Sequence, residues 1–220
     1  MNAAHAACPA LLRTALLGLY GALAAAPVGA GEAPPDPPAS SVTAPDAPIN
    51  PRYLLLDARG RMVSNEDFPG RFQLITFGYT SCPDVCPTTL STMTQALHAL
   101  GPLASRLQLV FISVDPERDT PAVLARYTAY FDPGILGLTG SPELVRASAD
   151  HFKVRFRKYR EPGANPQTYA VDHTSGMYLL GPDGEFIRKF ADSLPVARLS
   201  EELKALLHED SSRPREEPAR

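Results

Sequence analysis

One stretch of this chain decides its fold: Phe77-Gly78-Tyr79-Thr80-Ser81-Cys82-Pro83-Asp84-Val85-Cys86-Pro87. It follows a continuous apolar run over residues 72–77, which is typical of a strand that is covered on both faces. After the stretch, apolar residues recur at helical spacing over 88–100. The sequence therefore predicts a buried strand, a turn that carries two thiols, and a helix that leads away from them.

The flanking segments predict alternating strands and helices. Residues 107–114 form a second apolar run, which indicates another buried strand. Thr120-Pro121 and Ser141-Pro142 each place an N-capping residue before a proline, which predicts helices that end near Phe131 and His151. The remaining expected elements are strands over about 53–57, 62–63, 135–138, 154–159, 169–173, 177–180 and 186–190, and a helix over about 195–207.

This order of elements predicts the fold class. Strands that alternate with helices favour parallel crossover connections, whereas the last two strands, joined by Gly181-Pro182-Asp183-Gly184, favour an antiparallel hairpin. We therefore expect an α/β protein with a thioredoxin-like fold: a central mixed sheet, flanking helices and an N-terminal hairpin. A single domain is predicted over residues 51–208.

The two ends of the chain differ from this domain. Residues 1–30 contain Arg13, no acidic residue and an apolar run, which is the layout of a secretory signal. They predict export, to the bacterial periplasm or the outer face of the inner membrane, with the segment either cleaved or kept as an anchor. Residues 31–50 predict a Pro-rich flexible spacer, and residues 209–220 a charged tail.

The charge and the cysteine content limit the classes of function that this chain can have. The formal net charge is -3, and no basic-aromatic pattern indicates nucleic-acid binding. Of three cysteines, Cys8 lies in the signal segment, which leaves Cys82 and Cys86 in the domain. One close pair does not make a disulfide framework, so the pair indicates a functional site.

Cys86 and Pro87 set the expected chemistry of the thiols. Because a residue that precedes proline disfavours the helical region, the helix is predicted to begin at Pro87. Cys86 would then lie at the positive end of the helix, where its pKa would be lowered. Thiolates are the nucleophiles of disulfide exchange and also preferred ligands of Cu(I). The pair alone therefore leaves metal binding, a reversible disulfide, or both in turn as alternatives.

A metal held by two sulfurs needs a further ligand. Of five histidines, only His173 precedes the strand that this architecture places beside the first buried strand. His173 is therefore the candidate, although a lone histidine is more often a hydrogen-bonded structural residue. His5 lies in the signal segment, and His98, His151 and His208 lie on predicted helices, away from the thiol turn.

Several segments together resemble the SCO/SenC family, whose members are copper-binding factors for assembly of the dinuclear copper centre of cytochrome c oxidase. The resemblance covers roughly residues 50–207, and it rests on the opening stretch, Val114-Asp115-Pro116-Glu117-Arg118-Asp119-Thr120-Pro121, Gly137-Leu138-Thr139-Gly140-Ser141 and Val171-Asp172-His173-Thr174. It implies a thioredoxin-like domain that binds one copper, as Cu(I) or Cu(II), through Cys82, Cys86 and His173. A redox disulfide between Cys82 and Cys86 is also expected, from the two thiols themselves. Ser81 departs from the histidine that many members have there.

The resemblance implies partners as well. The expected acceptor is cytochrome c oxidase subunit II or another exported copper protein, with a copper donor chaperone as a further partner and membrane contact only through the N-terminal segment. A thiol-disulfide reductase acting on the cysteines of the oxidase copper site and a redox or copper sensor stay open as alternatives. The basic segment 154–160 indicates either a partner surface or a strand edge protected by charge.

Overall fold

The computed structural model describes residues 49–160, 162–163, 165 and 168–211. The predicted signal segment, the spacer up to residue 48 and the tail beyond residue 211 lie outside the described residues. The strands are β1 (Leu54–Leu56), β2 (Met62–Ser64), β3 (Phe72–Gly78), β4 (Leu107–Ser113), β5 (Leu136–Leu138), β6 (Phe156–Tyr159), β7 (Ala170–His173), β8 (Met177–Leu180) and β9 (Phe186–Phe190). The helices are α1 (Val85–Ala99), α2 (Pro121–Phe131), α3 (Pro142–His151) and α4 (Val196–Ser211).

A five-stranded mixed sheet in the order β5-β4-β3-β8-β9 forms the centre of the fold. β3 pairs in parallel with β4 and antiparallel with β8. Every residue of β3 is buried, as its continuous apolar pattern predicts. Because β8 runs back beside β3, the segment that enters β8 lies near the end of β3, which is where the thiol stretch begins.

Two helix starts follow the predicted capping chemistry. The Thr120 hydroxyl accepts a hydrogen bond from the Val123 amide, and the Ser141 hydroxyl accepts one from the Leu144 amide. Both helices begin at the proline that follows the cap. Both predicted helix starts are therefore confirmed. Proline fits the first helical position because the amide there has no hydrogen-bond partner inside the helix.

The predicted start of α1 was wrong. The helix begins at Val85 and continues through Cys86 and Pro87. Pro87 is accommodated because the amides of the first turn have no partner inside the helix, so a missing proton there costs little. The amide of Thr88, the next residue, donates to the Asp84 carbonyl at 3.2 Å.

Two small antiparallel ribbons flank the central sheet. β1 pairs with β2 as the predicted N-terminal hairpin. β6 pairs with β7, and this register places Phe156 opposite His173 at the end of the ribbon that leads into β8. α4 extends to Ser211 and so includes the first residues of the predicted tail. Within the described ranges, no helix has both the length and the apolar composition to cross a membrane.

Candidate metal centre

Residues 86 and 173 meet because β3 and β8 are neighbours. Cys86 lies in the first turn of α1, just beyond the end of β3, and His173 ends β7, just before β8. The Cys86 Sγ atom is 3.6 Å from the His173 Nε2 atom, although 87 positions separate the two residues in the chain. The structure thus brings together two of the three predicted site residues in direct contact.

The second ring nitrogen of His173 fixes the orientation of the imidazole. Its Nδ1 atom is 3.1 Å from the Thr174 carbonyl oxygen. Because a carbonyl only accepts hydrogen bonds, this contact favours a proton on Nδ1, and Nε2 is the ring nitrogen that faces the Cys86 sulfur. The Tyr79 ring packs edge-on against the imidazole, with 6.1 Å between the ring centroids. A metal-binding histidine uses one ring nitrogen as the ligand while an acceptor holds the other, as the Thr174 carbonyl holds Nδ1 here.

Cys86 is almost entirely buried, with 3% of its surface exposed. The sulfur packs against Gly78, where a Cβ atom would lie only 2.8 Å from Sγ. Burial raises the pKa of the Cys86 thiol, and its contact with Cys82 raises it further. The expectation of a lowered pKa was therefore wrong, because the loss of solvation outweighs the partial charge at the helix end.

Cys82 is partly exposed and precedes the helix. Its Sγ atom accepts a hydrogen bond from the Cys86 amide at 3.4 Å. Neither cysteine is in a disulfide. Among the described residues, no group of three or more His, Cys, Asp or Glu side chains stands ready to hold a metal ion. The structure thus places Cys82 next to the contacting pair, and its sulfur would have to turn from the amide to join them.

Asp119 holds the thiol loop to the end of β4. Its carboxylate accepts hydrogen bonds from the Thr80 amide at 3.0 Å, from the Thr80 hydroxyl at 2.6 Å and from the Ser113 hydroxyl at 2.7 Å. Asp119 is fully buried. Sequence reasoning assigned it no role. The only signal was a second aspartate shortly after a buried strand, within the segment that begins Asp115-Pro116.

A second buried carboxylate, Asp115, lies in the group of residues that packs against His173 through Arg118 and Tyr79. It accepts hydrogen bonds from Arg118 and, at 2.7 Å, from the Tyr169 hydroxyl. The Arg118 guanidinium lies over the Tyr169 ring at 3.8 Å and over the Tyr79 ring at 5.6 Å. Because Tyr79 contacts the imidazole of His173, these residues form a continuous packing layer behind the histidine.

The other described histidines lie elsewhere. His98, in the last turn of α1, pairs with Asp132 at 2.8 Å. His151 ends α3, and His208 lies on α4; both are exposed. His5 lies outside the described residues. His173 is thus the histidine that the fold places against a cysteine.

Comparison with known proteins identifies the family. The SCO1/SenC profile matches residues 41–208, which is well over half of the chain. This chain belongs to the SCO1/SenC family. An SCO2-like protein of Rickettsia felis is 38% identical over 144 residues, which cover 65% of this chain and 70% of the relative.

Solved SCO1/SenC structures share the architecture. A crystal structure of ScoI from Arabidopsis thaliana with copper bound has 31% identity and a TM-score of 0.68, covering 74% of this chain and 99% of that one. A structure of ScoI from Bradyrhizobium japonicum, also with copper bound, has 37% identity and a TM-score of 0.65, covering 72% and 99%. The predicted thioredoxin-like α/β fold with a mixed central sheet is thereby confirmed.

The donor atoms at this site suit a soft metal ion. Two sulfurs and a neutral imidazole nitrogen are the ligands that Cu(I) prefers, and imidazole also binds Cu(II). The orientation of Nε2 toward Cys86 places two such donors in contact without any change in the fold. The residues present therefore fit a copper ion chemically.

Proposed function

We propose that this protein holds one copper ion through Cys82, Cys86 and His173 and supports maturation of the dinuclear copper centre of cytochrome c oxidase. The observation that carries the proposal is the 3.6 Å contact between Cys86 Sγ and His173 Nε2. Membership of a family with copper-bound relatives supports the choice of metal. The acceptor would be oxidase subunit II or another exported copper protein.

The three ligands would contribute differently. Cys86 and His173 are preorganised, because the sulfur is buried against Gly78 and the imidazole is held by the Thr174 carbonyl. Cys82 is partly exposed and precedes the helix, and its sulfur would leave its hydrogen bond with the Cys86 amide to bind the ion. A buried pair would retain the ion, while an exposed thiolate would be the ligand that an acceptor or a donor chaperone reaches first. This division suits a protein that loads and releases metal.

Anaerobic Cu(I) titration against a competing chelator tests the ligand set. The wild-type protein should bind one copper, and Cys82→Ser, Cys86→Ser and His173→Ala should each weaken binding by at least about tenfold, as loss of one ligand-metal bond requires. His151→Ala is the matched control, because it removes an exposed histidine at the end of α3. Unchanged affinity in His173→Ala would remove the ligand assignment.

A thiol-disulfide reductase is the second candidate, and one observation favours it. Cys82 is accessible enough to attack a disulfide of a partner, and the adjacent Cys86 would resolve the mixed disulfide, which leaves the partner reduced and Cys82 and Cys86 joined as a disulfide. That reaction does not need His173. In a strain that lacks the gene, rescue of oxidase activity by the His173→Ala variant, which keeps Cys82 and Cys86, would favour the reductase. Rescue by added copper would favour delivery, and rescue by added reductant would favour thiol chemistry.

Export is part of the proposal, because the acceptor is assembled outside the cytoplasm. It is supported by the layout of residues 1–30, which lie outside the described part of the chain. Fractionation of cells that produce the full chain tests it. Recovery in the cytoplasmic fraction alone would contradict this part of the proposal.

A further inference from the structure

The ribbon of β6 and β7 concentrates positive charge beside the candidate metal centre. Residues 153–160 contain five basic residues and no acidic one, and the facing segment 170–174 contains one acidic residue, Asp172. These two segments, which include the ribbon and its flanking residues, thus carry a formal charge of +4 in a chain whose net charge is -3. This local excess of positive charge creates a positive electrostatic potential beside the centre, although the net charge of the whole chain is negative.

The strand register assigns the basic side chains to faces. Phe156 lies opposite His173 and Arg157 lies opposite Asp172, so these two pairs point to opposite faces of the ribbon. Arg155 lies just before β6, and Arg157 and Tyr159 lie on it; at these alternate positions the three side chains share one face, which is opposite to that of Phe156 and His173. All three are exposed, and we call them the arginine row.

A groove lined by two residues of the row, Arg155 and Arg157, also reaches His173. It has a volume of about 400 Å³ and is lined by Arg155, Phe156, Arg157, Asp172, His173 and Thr174. Asp172 pairs with Arg157 at 3.4 Å, but 78% of the arginine side chain and 67% of the aspartate side chain are exposed. An exposed pair of this kind contributes little stability, so a stronger partner can replace it.

We propose that the arginine row is the docking surface for a protein acceptor whose carboxylate side chains surround its own metal site. Guanidinium groups bind carboxylates through two parallel hydrogen bonds, and exposed tyrosine and arginine are the residues that dominate the energy of protein interfaces. The row lies on the ribbon face opposite to His173, but the groove that Arg155 and Arg157 line also reaches His173 at the end of the ribbon. An acceptor that fills this groove would therefore be held next to the candidate centre. This inference rests on the proposed function and specifies the chemistry of its partner.

The shape of the surface favours a protein over an anionic membrane. The groove is concave, contains an aromatic residue, Phe156, and has a carboxylate, Asp172, among its cations. Individual acidic side chains can enter such a groove and take the place of Asp172, whereas lipid headgroups present a broad layer that Asp172 would repel. The exposed Tyr159, 53% of whose surface is accessible, extends the contact area beyond the groove.

Association measurements with matched charge reversals test the proposal. The full chain, loaded with Cu(I), is mixed with the copper-free soluble domain of subunit II from the same organism at low and high salt. Arg155→Glu with Arg157→Glu reverses two charges of the row, and Arg59→Glu with Lys204→Glu makes the same charge change at exposed positions on the β1–β2 turn and α4. We expect the row variant to associate at least about tenfold more slowly at low salt and the control to change by less than about twofold.

Copper stoichiometry and thermal unfolding show that each variant is folded and loaded. Equal association of the row variant and the control would overturn the proposal. So would loss of binding to phosphatidylglycerol vesicles with unchanged binding to the acceptor domain, which would make the row a membrane contact. If the wild-type chain loads copper but never associates with the acceptor, the oxidase part of the proposed function fails and the docking proposal fails with it.

Discussion

The Cys86 Sγ atom and the His173 Nε2 atom are 3.6 Å apart, and each is held by different parts of the fold. Cys86 is held by the start of α1 and by its packing on Gly78, while His173 is held by the β6–β7 ribbon and the Thr174 carbonyl. Both positions depend on the pairing of β3 with β8. The geometry of the candidate site is therefore a property of the folded domain and not of the thiol loop alone.

The two thiols should differ in reactivity. Cys86 is 3% exposed and burial raises its pKa, whereas Cys82 is partly exposed. In the copper-free protein, iodoacetamide should modify Cys82 at least about tenfold faster than Cys86. Only an accessible thiolate reacts, and each unit by which the pKa of Cys86 is raised lowers its thiolate fraction about tenfold. Mass spectrometry of the two peptides measures the ratio. In urea the two rates should converge, and equal rates in the native protein would contradict the burial of Cys86.

Copper affinity should increase with pH. The raised pKa of Cys86 means that its thiol is protonated at neutral pH, so a metal that binds its thiolate must displace that proton. Below that pKa, affinity should rise about tenfold for each pH unit for each proton displaced. Chelator competition at several pH values measures the slope, and calorimetry in buffers of different ionisation enthalpy counts the protons released. In Cys86→Ser the slope should be smaller, and a wild-type affinity independent of pH would contradict the prediction.

Much of this architecture could be predicted because it depends on local patterns. The continuous apolar run of β3 and the capping pairs at Thr120 and Ser141 each specify their element without tertiary information. The start of α1 was missed because the preference of the residue before a proline is weak enough for packing to override it at Cys86. The pKa of Cys86 and the role of Asp119 depend on contacts with residues far apart in the chain, which spacing alone does not specify.

Gly78→Ala should destabilise the domain and disturb the centre. An added Cβ atom would lie 2.8 Å from both the Cys86 sulfur and the Phe111 ring, so at least one of them must move. Overpacking of this kind costs about 1–3 kcal/mol, measurable by urea unfolding. We also expect weaker copper binding, because Cys86 would be displaced relative to His173. Gly134→Ala is the control, since its Cβ atom would meet one atom, the Asp132 carboxylate oxygen at 3.0 Å, and neither Cys86 nor His173. Equal effects of the two substitutions would contradict this account.

Replacing Asp119 should loosen the thiol loop. The buried carboxylate accepts two hydrogen bonds from Thr80 and one from Ser113, so Asp119→Ala leaves three donors without their partner. We expect a loss of about 2–4 kcal/mol in the free energy of unfolding, because hydrogen bonds to a charged group contribute about 1.5–3 kcal/mol each and are not additive. Faster hydrogen exchange at residues 79–86 should accompany this loss.

Asp119→Asn separates the loss of charge from the loss of hydrogen bonds. The amide keeps one acceptor oxygen, and its nitrogen can donate to a hydroxyl of Thr80 or Ser113 that rotates to accept. We therefore expect Asp119→Asn to retain more stability and more copper affinity than Asp119→Ala. If Asp119→Ala exchanged hydrogen over residues 79–86 as slowly as the wild-type protein, Asp119 would have no part in positioning the thiols. If both variants weakened copper binding equally, charge at this position would matter more than the hydrogen bonds that hold the loop.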